Sequence, residues 1–218
     1  MSSLFISDDF VFETVEGEGR LVGKPSIFMR LAMCNLTCIG FKSPDSPFGC
    51  DSYVSWSKKN KMSFDEVFDL FESKGYEKKL NNNTHVLKIT GGEPLIQQNA
   101  LQEFHEYLLS KEIYPSIDFE TNGTIVPDEY WLNIGASFTV SPKLKSNGDP
   151  FEKRYKTDAL QFHADNLSSF KFVIQNEDDV KEIIENYIDK FNIDRSMVWL
   201  MPCCGSRQEH TEIGRAHV

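Results

Sequence analysis

The chain has 218 residues, with 23 Lys and Arg against 33 Asp and Glu, a net charge of −10. A chain of that length buries about 70% of the surface its unfolded form exposes, so one larger domain needs no disulfides, and the acidic balance argues against sequence-independent nucleic-acid binding. No apolar run approaches the roughly 18 residues of a membrane span, and Met1-Ser2-Ser3-Leu4-Phe5 lacks a basic leader, which predicts a cytoplasmic protein acting on a small molecule, with no direct nucleic acid and no membrane.

In chain order, the apolar residues 10–12 precede Glu13-Thr14-Val15-Glu16-Gly17-Glu18-Gly19. Glutamates alternating with glycines make poor helix and poor strand, so a loop able to approach a ligand closely is expected here. The β-branched run over 26–32 reads as a buried strand. It leads directly into Cys34-Asn35-Leu36-Thr37-Cys38, and Cys50-Asp51-Ser52-Tyr53 follows after eleven residues. These are three of five cysteines. In a reducing compartment they point to a metal: zinc completed by a fourth ligand, or an iron–sulfur cluster with one iron left open. The close C-x2-C pair usual for zinc is absent. The five histidines form no ligand spacing.

Ser63-Phe64-Asp65-Glu66 opens an amphipathic helix with a capping signature. A strand over 86–89 runs into Thr90-Gly91-Gly92-Glu93-Pro94, with a helix over 95–109. Residues 117–119 form a strand ending in Glu120-Thr121-Asn122-Gly123, then a helix over 127–132. Residues 137–140 end in Ser141-Pro142-Lys143. A strand over 170–174 leads to Gln175-Asn176-Glu177-Asp178, a helix over 178–191 and a last strand over 198–200. Strands each followed by a helix predict an α/β parallel sheet, curved or closed as a barrel, with ligands at the strands' carboxyl ends. Every polar cluster from the cysteines onward falls at such an end.

In this order the glycine loop, the strand ending in Arg30-Leu31, Cys-x3-Cys with a later Cys-Asp-Ser, Gly-Gly-Glu-Pro, Glu-Thr-Asn-Gly and Ser-Pro-Lys resemble the 7-carboxy-7-deazaguanine synthase family of radical S-adenosylmethionine enzymes. The similarity spans residues 10–202. It implies a partial, open TIM-like barrel of about six parallel strands with outer helices, its carboxyl-terminal element cut short. It also implies a lyase of queuosine-type 7-deazaguanine biosynthesis that contracts 6-carboxy-5,6,7,8-tetrahydropterin to 7-carboxy-7-deazaguanine with loss of ammonia. Cys34, Cys38 and Cys50 would each hold one iron of a 4Fe-4S cluster, the fourth iron taking S-adenosylmethionine. Asp51, Gly91, Gly92, Glu93, Ser141, Pro142, Lys143, Gln175 and Asn176 would contact that cofactor. Val15, Glu16, Gly17, Glu18, Arg30 and Thr90 would bind the pterin, Arg30 gripping its carboxylate with two parallel bonds. Ser52 would bind Mg²⁺. The radical comes from the cofactor, so no side chain is assigned as catalytic. A flavodoxin or ferredoxin as electron donor and a homodimer are further expectations of the resemblance.

The chain departs from the family pattern at three points. Eleven residues separate Cys38 from Cys50 where two are usual, Gly49 stands where an aromatic is usual with Phe48 as its substitute, and Glu16 replaces a glutamine. Two alternatives remain open on the residues: a glycyl-radical activating enzyme, and a non-catalytic three-cysteine zinc or iron–sulfur module. Cys203 and Cys204 are expected to be ordinary thiols. Residues 1–211 are expected to be one domain. Residues 212–218 can be encoded by a common sequencing-adapter read and are expected to be a non-native tail.

Overall fold

The structure, a computed structural model, describes residues 3–42 and 47–203, without the side chains of residues 8–10. Cys204, the expected non-native tail over 212–218 and residues 43–46 of the insertion lie outside the described residues. Eight strands form one sheet: β1 Ser3–Val15, β2 Pro25–Leu31, β3 Asn60–Ser63, β4 Val86–Gly91, β5 Ile117–Thr121, β6 Ser137–Val140, β7 Ser169–Ile174 and β8 Val198–Pro202. Their order is β3-β1-β2-β4-β5-β6-β7-β8, so among the described residues β3 and β8 are edges and the sheet is open. β1 runs antiparallel to both neighbours. From β2 to β8 all pairings are parallel, which gives the six parallel strands expected.

Helices connect these strands: α1 Tyr53–Trp56, α2 Phe64–Ser73, α3 Tyr76–Asn81, α4 Gln98–Ser110, α5 Glu129–Asn133, α6 Phe151–Arg154, α7 Thr157–Asp165 and α8 Glu177–Ile183. The capping signature at α2 is realised in full: the Ser63 hydroxyl accepts from the Glu66 N–H at 3.3 Å, and the Glu66 carboxylate accepts from the Ser63 N–H at 2.7 Å. Val67, Phe68 and Phe71, at helical spacing, are buried, Phe68 against Tyr107 of α4 and Phe71 against Tyr76 of α3 and Phe104 of α4. Among the described residues no helix is long and apolar enough to cross a membrane.

The expected loop over 13–19 is corrected in its first half. Glu13, Thr14 and Val15 continue β1, paired with Ile27, Ser26 and Pro25. Ladder bonds to a buried neighbouring strand outweigh the weak strand propensity of glutamate.

Strand alternation sorts the two faces. Leu87, Ile89, Ile117, Phe119 and Phe138 join the core under the helices, where Phe119 meets Trp131 of α5 edge-on at 4.8 Å. The intervening residues are polar and charged: Lys88 and Thr90 on β4, Asp118 and Glu120 on β5, Thr139 on β6, Lys171 on β7. They turn toward the concave side, where the site lies.

Candidate active site

A cavity of about 1280 Å³ opens at the carboxyl ends of the parallel strands. Cys34, Cys38 and Cys50 all line it, despite the long spacer. Burial pushes the Cys34 thiol up to about 11, opposed by the Leu36 N–H, and the charges of Cys38 and Cys50 add to the rise. Burial also raises Cys38, against Lys143 and the Asn147 amide. The three sulfurs are thus close enough to feel one another. Among the described residues no three His, Cys, Asp or Glu side chains gather at the spacing of one metal ion. Three thiols facing one cavity are the donor set of an iron–sulfur cluster that takes one thiolate per iron and leaves the fourth iron open.

The cysteine loop is held in shape from a distance in sequence. The buried Asp149 carboxylate accepts from the Thr37 N–H at 3.0 Å, the Thr37 hydroxyl at 2.8 Å and the Cys38 N–H at 2.8 Å. Burial alone would raise its pKa, but the donors from Cys38 and Thr37 prevail and hold it below the usual carboxylate range. Cys38 itself sits in the left-handed region at φ 51°. Gly49 explains the missing aromatic. Its φ is +93°, and a Cβ there would lie 2.4 Å from the Cys38 carbonyl oxygen, so only glycine lets the chain return to Cys50. Phe48, the expected substitute, instead stacks on Tyr53 at 4.6 Å and is half exposed, while Phe41 lines the cavity.

At the rim of β4 a Cβ on Gly91 would lie 2.1 Å from the Leu31 carbonyl oxygen, and one on Gly92 1.9 Å from that of Met33. The glycines therefore let the start of the cysteine loop lie across the end of β4, and both also face the cavity. Glu93 departs from its expected place: it is absent from the cavity wall and 0% exposed. Its carboxylate accepts from the Leu95 N–H at 3.0 Å, the Thr121 hydroxyl at 2.8 Å and the Asn122 N–H at 2.7 Å. It ties the end of β4 to the end of β5, and burial, countered by those bonds, lifts it to about 7. Ser141, Lys143, Gln175, Asp51 and Ser52 line the cavity. Pro142 and Asn176 do not; the Asn176 side chain caps α8, accepting from the Asp178 and Asp179 N–H groups at 3.0 and 3.1 Å. Cys203, expected as an ordinary thiol, lies on the cavity wall.

Val15, Glu16, Gly17, Glu18, Arg30 and Thr90 are brought together on the β1–β2–β4 side. The Arg30 guanidinium carbon lies 4.9 Å from the Phe12 ring centre, within cation–π range. Glu16 is buried and meets Lys88 at 2.9 Å, and Lys88 also meets Asp118 at 2.6 Å. Lys171 bridges Glu18, at 2.8 Å, and Glu120. Against the cost of burial, Lys171 and Lys88 draw Glu120 down to about 2. This floor of paired charges was not anticipated residue by residue. The available signal was a charge alternating with apolar neighbours in Leu87-Lys88-Ile89, Ile117-Asp118-Phe119-Glu120 and Phe170-Lys171-Phe172, which places charges on the concave face.

No family model matches the chain. Among known proteins, the 7-carboxy-7-deazaguanine synthase of Pyrobaculum aerophilum is 32% identical over 206 residues, covering 93% of this chain and 81% of that protein. The enzyme of the same name from Hyperthermus butylicus is 33% identical over 213 residues, covering 95% and 81%. The crystal structure of QueE from Escherichia coli has the same fold, with a TM-score of 0.60 at 23% identity over 98% of this chain and 91% of that one. These relatives set aside the activating-enzyme and zinc-module alternatives, and the chain belongs to the 7-carboxy-7-deazaguanine synthase family of radical S-adenosylmethionine lyases.

Proposed function

We propose that this chain converts 6-carboxy-5,6,7,8-tetrahydropterin to 7-carboxy-7-deazaguanine with loss of ammonia. The observation that carries the reading is the convergence of three thiols, the Gly91-Gly92 rim and the Arg30–Glu18 wall on one cavity. Cys34, Cys38 and Cys50 would hold a 4Fe-4S cluster, with Asp51, Gly91, Gly92, Ser141, Lys143 and Gln175 around S-adenosylmethionine. When bound, that pair supplies the 5′-deoxyadenosyl radical. The protein's own work is orientation and exclusion of water. Arg30, resting on the Phe12 ring, binds the substrate carboxylate bidentately. Glu18, Thr90 and the Gly17 backbone supply hydrogen-bonding groups to the ring edge, while Val15 and Glu16 shape that side. Glu93, Pro142 and Asn176 serve as frame, not as contacts. Ser52, whose hydroxyl donates to Asp51 at 3.1 Å beside Cys50, offers a hard oxygen for Mg²⁺. A flavodoxin-like or ferredoxin-like donor, a homodimer and a cytoplasmic setting complete the proposal.

The test is anaerobic reconstitution, then incubation with the carboxytetrahydropterin, S-adenosylmethionine and dithionite. About four irons per chain, 5′-deoxyadenosine and the deazaguanine product are expected. One tight zinc per chain, or a loaded cluster that yields no product, overturns it.

A further inference from the structure

Each of the three cavity thiols is met by an N–H donor. Cys34 accepts from the Leu36 N–H at 3.5 Å, with the Asn122 amide at 4.0 Å. Cys38 accepts from the Asn147 amide at 3.5 Å. Cys50 accepts from the Trp56 indole N–H at 3.4 Å. Three of these donors are side chains with no place in the cysteine motif, Asn122, Asn147 and Trp56, and the two at 3.5 Å or less, Asn147 and Trp56, are each anchored by further contacts. Asn147 is 0% exposed, and its amide also donates to Asp149 at 3.1 Å while its carbonyl accepts from the Asp149 N–H at 2.9 Å. Those two bonds fix which end of the amide faces the sulfur. Trp56 packs edge-on against Tyr53 at 5.1 Å, and its carbonyl accepts from the Met33 N–H at 3.0 Å at the start of the cysteine loop. The indole is thus anchored to the loop whose third sulfur it touches.

We infer that Asn147 and Trp56 are positioning residues that hold N–H donors against two cluster thiolates and so set the cluster's reduction potential. The inference rests on the ligand assignment proposed above. A one-electron reduction adds negative charge to the cluster and its sulfurs. A donor aimed at a sulfur stabilises the reduced form more than the oxidised form and moves the potential upward. The opposing influence at Cys50 is Asp51, whose carboxylate oxygen stands 3.9 Å from the same sulfur and disfavours added charge. Trp56 offsets it.

The experiment is an anaerobic redox titration of the reconstituted full chain, followed by the electron paramagnetic resonance of the reduced cluster. Wild type, Trp56→Phe, Asn147→Leu and the double variant are compared, with iron and sulfide counted in each. Trp56→Phe keeps an aromatic ring against Tyr53 and removes the indole N–H donor. Poised at the wild-type midpoint, where half the clusters are reduced, the loaded Trp56→Phe protein is expected to be several-fold less reduced, and the double variant less reduced again. A fully loaded Trp56→Phe protein with the wild-type midpoint overturns the inference and leaves the ligand assignment standing. A wild-type chain that takes up no cluster overturns both. Should Asn147→Leu fail to load because Asp149 loses its partner, the Trp56→Phe titration decides alone.

Discussion

His163 illustrates how a single side chain outside the site shapes the protein's response to acid. It is 0% exposed on α7, its Nδ1 lies 3.0 Å from the Ser168 hydroxyl, and its Nε2 is buried with no hydrogen-bond partner. Burial drives its pKa down to about 3. A histidine depressed in the folded state contributes stability that is complete above its unfolded value of about 6.5 and is lost as pH falls below it, because only the unfolded chain takes up the proton. Between pH 7.5 and pH 5.5 this residue should remove about 1.4 kcal/mol of stability. Urea denaturation at the two pH values measures it. His163→Phe should flatten that part of the pH dependence whatever its effect on absolute stability, and an unchanged slope would show that other groups carry it.

The elements differ in how far they could be read. The strands over 86–89, 117–119, 137–140 and 170–174 were legible because each is short, apolar and closed by a turn signal, and all four recur in the sheet within a few residues. β1 was not, since Glu13 to Val15 become strand only through pairing with β2, a tertiary effect that no local propensity carries. The turn over 145–149 was equally hidden. Lys145-Ser146-Asn147-Gly148-Asp149 carries no local sign of its role, yet it is the clamp on a loop more than a hundred residues earlier. Asp149→Ala tests that role at the level of the element. It leaves the buried Cys38 N–H without its acceptor, at about 1–3 kcal/mol, and releases the Thr37 N–H and hydroxyl to solvent. The helices and sheet should keep their far-ultraviolet circular dichroism while iron uptake on reconstitution falls several-fold. Full uptake by the variant would mean that the loop keeps its shape unaided.

At the scale of the molecule, the sheet separates two kinds of interior. Its convex face is closed by helices over Phe119, Phe138 and their neighbours, and area burial governs there. Its concave face carries Lys88, Asp118, Glu16 and Lys171 out of bulk water, with the partly exposed Glu120 against Lys171, and there charge pairing governs. This separation accounts for what the sequence revealed of the site. The rim motifs announce themselves through cysteine and glycine, whereas the floor is built from single charges whose partners lie on other strands. It also gives the glutamate at position 16 a physical reason. A carboxylate there is tolerated because Lys88, reaching up from β4, answers both it and Asp118. Removing the cation should therefore cost far more than removing either anion. Lys88→Met leaves two buried carboxylates unpaired and is expected to destabilise the fold by about 3–5 kcal/mol. Adding Glu16→Gln to that variant removes one of the orphaned charges, so the double variant should be more stable than Lys88→Met alone, a non-additivity typical of groups in direct contact. Urea midpoints of the wild type, both single variants and the double variant measure it. If Glu16→Gln fails to rescue Lys88→Met, the glutamate is accommodated by the cavity's solvent and the lysine serves Asp118 alone.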